Sequence, residues 1–176
     1  LFSLLDYLHS HKISYGNFDP KELLFNGQTV KVYNLEHSLS TNYNSFVSTG
    51  FAAPEVILRG KSDFRADFWS LGVLAYVLLT GRHPFLADSQ VKTVERVLRN
   101  KPIMPVNHLL VSEDEKELLS RLLSLEPATR PTRNKAFALR FFCSQESAHR
   151  NKASLLMSLV FKNGSSDSTV NGQTIA

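Results

Sequence analysis

The sequence predicts a mainly helical fold with one short β-hairpin near its start, an α+β arrangement dominated by helices. Three observations carry this expectation. Apolar residues fall at positions 1, 4, 5 and 8, the spacing of one helix face. Two short apolar runs, 23–25 and 29–33, flank Asn26 and Gly27, which is the sequence pattern of a tight hairpin. The stretch FWSLGVLAYVLLT, residues 68–80, is almost wholly apolar and has amphipathic segments after it, so it reads as a helix buried at the centre.

The elements follow in order. Residues 1–11 form the first helix. Residues 14–22 hold Gly16, Asn17, Asp19 and Pro20 and form a loop. The hairpin comes next. Residues 36–50, rich in Ser, Thr and Asn, form an exposed loop. From residue 51 the chain turns helical, with the buried helix over 67–80 and amphipathic helices over 88–100 and 112–125. Ser112 stands three residues before Glu115, the pattern of a capping box. Further helices are expected over 132–140 and 145–162, and the small polar residues of 163–176 read as a disordered tail. There is no internal repeat. The chain opens inside what reads as a helix already under way, so the expectation is a fragment with residues missing upstream.

Composition narrows the function classes. A chain of 176 residues with 43% hydrophobic residues can bury a substantial core. The formal net charge of +4 is spread out, without the basic run of a nucleic-acid binder, so no nucleic-acid partner is expected. The longest apolar stretch, residues 68–80, is shorter than the roughly 20 residues that span a bilayer, and no membrane partner is expected. The single cysteine, Cys143, excludes an internal disulfide framework and a multi-cysteine zinc site, and fits an intracellular, cytoplasmic setting.

Five stretches, in order along the chain, carry a resemblance. YLHSHKI (7–13) resembles the helix that leads into a protein kinase catalytic loop. VKVYNLE (30–36) stands where that family has VKIxDFG. STGFAAPEVI (48–57) resembles the end of an activation segment, with Ala53, Pro54 and Glu55 intact. RADFWSLGVLAYVLLTGRHPF (65–85) is similar to the family's central helix, including Asp67, Trp69, Ser70 and Gly72. LLSLEPATRP (122–131) resembles the late element whose arginine, here Arg130, pairs with the Ala-Pro-Glu glutamate. Together they resemble the C-terminal lobe of a eukaryotic protein kinase, over residues 1–142. The overall flavour is that of the calcium/calmodulin-dependent and myosin-light-chain-kinase-like branch, with the degenerate kinase domains of giant muscle proteins such as obscurin. The resemblance implies a kinase-like C-lobe at 1–142, a helical extension at 143–162 and a tail at 163–176. The N-terminal lobe, with its Gly-rich phosphate loop, is absent from this chain.

The same resemblance marks where the chain departs from the family. Asn17 stands at the catalytic aspartate, and a neutral amide is no general base. Asp19 stands at the loop lysine, where a negative charge about 4 Å from a phosphate costs roughly 1–4 kcal/mol, depending on the local dielectric. Glu22 replaces the magnesium-binding asparagine, and a carboxylate remains a legitimate magnesium ligand. Asn34 replaces the Asp of Asp-Phe-Gly and removes an anionic ligand. Leu35 and Glu36 complete that change, and Tyr15 and Gly16 replace the His-Arg pair. Glu55, Asp67, Trp69 and Arg130 are structural positions, and all four are retained.

The expectation from these residues is a pseudokinase, not an enzyme, that acts as a protein-interaction scaffold or allosteric regulator. Two alternatives stay open: an active atypical serine/threonine kinase using Glu22 and Asp19 toward the metal, and a nucleotide-binding switch without phosphotransfer. No catalytic residue, metal site or cofactor is expected; ATP with magnesium, at Glu22 and Asn34, is the alternative. The expected partners are proteins bound through the kinase-like surface, with calmodulin a candidate for the basic, apolar stretch 150–163. A sarcomeric location is the narrower alternative to a cytoplasmic one. Ser38, Ser40, Thr41, Tyr43, Ser45, Ser48 and Thr49 read as a polar loop or as phosphorylation sites, and His9, His11 and His37 as surface or capping residues.

Overall fold

The computed structural model describes residues 1–16, 18–25, 30–32, 50–60, 63–102 and 111–143. Its elements run α1 (Phe2–Ser10), β1 (Leu23–Phe25), β2 (Val30–Val32), α2 (Pro54–Arg59), α3 (Phe64–Thr80), α4 (Gln90–Leu98), α5 (Glu113–Leu122), α6 (Arg133–Phe137) and α7 (Arg140–Cys143), with 3-10 turns at Pro20–Glu22 and Pro127–Thr129. This is the mostly helical lobe with one antiparallel hairpin that the sequence predicts. Leu23 pairs with Val32, Leu24 with Lys31 and Phe25 with Val30. The expected helix over 145–162, the tail and the 36–49 part of the Ser/Thr-rich loop lie outside the described residues.

Local chemistry sets the element ends. Pro54 opens α2 at a position where its missing N–H is not needed. Gly60 (φ +62°) and Gly81 (φ +70°) close α2 and α3 in the left-handed conformation that glycine adopts without strain. The Asp63 carboxylate accepts from Arg65 N at 2.7 Å and starts α3 three residues before the expected position. The Ser112–Glu115 capping box forms, with Ser112 N donating to Glu115 Oε2 at 2.6 Å and Glu115 N to Ser112 Oγ at 3.3 Å.

The helix expected over 132–140 is divided. Leu139 N donates to the Ala136 carbonyl at 3.0 Å, which tightens the chain after α6, and Leu139 turns onto the core before α7 begins.

The core forms around α3, in which twelve of seventeen residues are buried. Leu5 and Leu8 of α1 pack into it, with Leu1 and Leu4 partly buried beside them, so the predicted face is the buried one. Trp69 is fully buried and stacks on Phe85, with ring centroids 5.4 Å apart. At Gly72 α3 and α5 approach so closely that a Cβ would lie 2.8 Å from Leu122 Cβ. A smaller cluster of Tyr76, Leu79, Val111 and Leu119 extends the contact between the same two helices.

Candidate active site

The loop between α1 and β1 is fixed from below by one carboxylate. Asp67, on the first turns of α3, is completely buried. Its Oδ2 accepts from Tyr15 N at 2.9 Å and its Oδ1 from Gly16 N at 2.6 Å. Ser14 Oγ donates to Oδ1 at 3.0 Å, and His9 Nε2 to Oδ2 at 2.8 Å. A buried carboxylate is tolerated only when hydrogen bonds replace its water, and four donors do so here. Two of them are backbone amides, so that part of the clamp does not depend on the side chains of Tyr15 and the residues that follow it.

His9 therefore departs from the surface role expected for it. Its imidazole lies against Phe64 and Phe68, with centroid distances of 4.8 and 5.6 Å, and is half-buried. Nothing in the local sequence announces this, because Asp67 is 58 positions away. His11 does cap: it is exposed, and its Nδ1 donates to the Tyr7 carbonyl at 2.8 Å near the end of α1.

A second buried pair lies inside the loop. Tyr15 is completely buried and packs against Phe18, with ring centroids 4.6 Å apart and the rings tilted by 38°. Its phenol donates to Glu22 Oε2 at 3.2 Å, and Glu22 is itself only 9% exposed. Asp19 is half-buried, and its carbonyl accepts from Glu22 N at 2.9 Å, which closes the turn that presents Glu22. Asn17, Asn34 and His37 lie outside the described residues. Among the described residues no group of three or more His, Cys, Asp or Glu side chains could hold a metal alone. Magnesium is usually held by one or two carboxylates together with nucleotide phosphates, and a single buried, oriented carboxylate such as Glu22 fits that donor set.

The segment that leads into α2 is held by an ion pair between Glu55 and Arg130. Arg130 Nη1 and Nη2 donate to Glu55 Oε1 and Oε2 at 2.6 and 2.8 Å, a two-pronged pairing. Arg130 also donates to the carbonyls of Arg65 at 3.0 Å and Ser124 at 2.9 Å, and its guanidinium lies 5.2 Å from the centre of the Trp69 ring. Ser70 Oγ donates to the Phe51 carbonyl at 2.9 Å and fixes the same segment to α3.

The family model for the protein kinase domain matches residues 1–142. The chain belongs to the protein kinase domain family. A probable myosin light chain kinase of Dictyostelium discoideum is 34% identical over 138 residues, which cover 73% of this chain and 40% of that protein. The serine/threonine-protein kinase cds1 of Schizosaccharomyces pombe is 31% identical over 150 residues, 77% of this chain and 33% of the relative. The calcium/calmodulin-dependent protein kinase cmkA of Emericella nidulans is 31% identical over 146 residues, 75% of this chain and 34% of the relative. The kinase lobe thus spans less than half the length of each of these relatives.

These matches overturn the expectation that the chain is not an enzyme, since the relatives are named as protein kinases and the family model covers the whole lobe. The physical reason lies in the weight given to single side chains. Phosphoryl transfer depends mainly on positioning and electrostatics. In this kinase lobe the loop backbone is clamped by Asp67, and a carboxylate stands oriented at Glu22.

Proposed function

We propose that the chain is the C-terminal, substrate-side lobe of a serine/threonine protein kinase of the calcium/calmodulin-dependent or myosin-light-chain-kinase-like branch, in which phosphoryl transfer is slowed. The clamp of Asp67 on the Tyr15 and Gly16 amides carries this reading, because it holds the loop that follows independently of the residues replaced in it. Asn17 keeps an oxygen that can orient a substrate hydroxyl and lacks the basicity to take its proton. Losing a general base lowers a rate by about 10²- to 10⁴-fold. Asp19 adds repulsion toward phosphate, and Glu22 supplies the carboxylate toward magnesium.

The test is single-turnover transfer from ATP with magnesium to a Ser/Thr peptide, using the full-length protein. The expected rate lies about 10²- to 10⁴-fold below the 1–100 s⁻¹ common for kinases. Asn17→Asp is expected to raise it at least about tenfold. No transfer by the natural protein, together with no gain in Asn17→Asp, would overturn the reading.

A role in regulation by protein contact accompanies slow transfer. A groove of about 640 Å³ lies between α2, the start of α3 and the turn after α5, lined by Leu58, Leu98, Leu125 and Pro127 among others. Leu58 is 69% and Leu125 43% exposed, an apolar surface of the kind protein partners cover. Leu58→Glu is expected to leave transfer intact and to weaken partner capture; unchanged capture would contradict this role. Calmodulin binding at 150–163 is proposed from sequence alone, and a calorimetric titration with calcium-loaded calmodulin tests it. No helix among the described residues is long and apolar enough to cross a membrane. A cytoplasmic location is proposed on the branch resemblance.

A further inference from the structure

We propose that Tyr15 is a positioning residue for Glu22: its phenol engages one carboxylate oxygen and fixes the orientation in which Glu22 meets a divalent cation. This rests on the reading of Glu22 as the carboxylate toward magnesium. Three observations carry it. The Tyr15 hydroxyl donates to Glu22 Oε2 at 3.2 Å, while both residues lie within the lobe, Tyr15 at 0% and Glu22 at 9% exposure. Tyr15 is itself immobilised, by Asp67 on its backbone N–H and by Phe18 against its ring. Glu22 closes a 3-10 turn and leads directly into β1, so its backbone is fixed on the other side. A long carboxylate side chain has three torsions to order. A rigid phenol orders it before the cation arrives, as groups hydrogen-bonded to metal ligands commonly do.

With Oε2 engaged by the phenol, the carboxylate approaches the cation in one rotamer. The residue at this position, which first reads as the loss of a histidine, is thereby tied to the change at Glu22 seven positions later.

The experiment is a magnesium titration of the full-length protein at fixed ATP, read as the magnesium-dependent rise in melting temperature, a measure of binding independent of turnover. Tyr15→Phe removes only the hydroxyl. It is expected to raise the half-saturating magnesium concentration about tenfold, the lower end of what such supporting groups contribute. The melting temperature without magnesium serves as the control for a merely structural role. Glu22→Asp both shortens the ligand and retracts it from the phenol and is expected to shift the titration in the same direction; an unchanged midpoint in Glu22→Asp counts against the positioning role even if Tyr15→Phe folds poorly. Glu22→Gln is expected to abolish most of the magnesium response. If Glu22→Gln responds like the natural protein, Glu22 is not the ligand and the underlying reading fails with the proposal. If Glu22→Gln loses the response and Tyr15→Phe and Glu22→Asp keep the natural midpoint, the positioning role alone is overturned.

Discussion

The frame around α3 and the loop it holds use their polar residues differently. In the frame, Asp67 binds two backbone amides, and Arg130 binds the Glu55 carboxylate and two backbone carbonyls. Each of these contacts requires one charge of one sign at one place, and the residues that supply it match the kinase family. Along residues 15–22 the side chains differ from the family at Asn17, Asp19 and Glu22, three of the positions nearest the chemistry, and the Tyr15 and Gly16 amides are still held by Asp67. A hydrogen bond to a backbone amide is indifferent to the side chain on that amide. The fold can therefore keep its loop while the chemistry of that loop drifts. The replacements inside the loop are also not independent, since Tyr15 and Glu22 bond to each other.

The contrast implies a graded set of effects. Arg130→Met is expected to be the most damaging change, because it leaves Glu55 without its counter-charge in a largely buried site. A loss of about 3–5 kcal/mol is expected in urea unfolding. A loss below about 1 kcal/mol would mean that the pair does not anchor the lobe. Asp67→Asn comes next. An amide offers one acceptor oxygen where the carboxylate serves four donors, and the expected cost is about 1.5–3 kcal/mol by the same measurement. Gly72→Ala forces a Cβ to within 2.8 Å of Leu122 Cβ, and overpacking there is expected to cost about 1–3 kcal/mol. Asp19→Lys, which restores the charge the family has in the loop, is expected to change stability by no more than about 0.5 kcal/mol. A larger change would break the comparison, because the loop side chains would then be supporting the fold.

Much of the frame was legible from the sequence. The α1 face at 1, 4, 5 and 8, the hairpin around Asn26 and Gly27 and the Ser112 capping box are local patterns, and local patterns leave local traces. The pairing of Glu55 with Arg130 could be read only through the family resemblance, because 75 positions separate them. The site was less legible. His9 and Ser14 reach Asp67 across 58 and 53 positions, and no periodicity announces a contact of that range. Tyr15 and Glu22 each read as a substitution of a family residue; their mutual hydrogen bond becomes visible only when the 3-10 turn brings the carboxylate back toward the phenol. The division between α6 and α7 has no proline or glycine to mark it, and follows from Leu139 turning onto the core.

Amide hydrogen exchange at Tyr15 and Gly16 tests most directly whether the loop is held by the frame and not by its own side chains. The comparison is between the natural protein, a loop variant carrying Asn17→Asp and Asp19→Lys, and Asp67→Asn. The expected result is equal protection of both amides in the first two and at least about tenfold faster exchange in the third, the loss of one charged hydrogen bond. Fast exchange in the loop variant, or unchanged protection in Asp67→Asn, would contradict it.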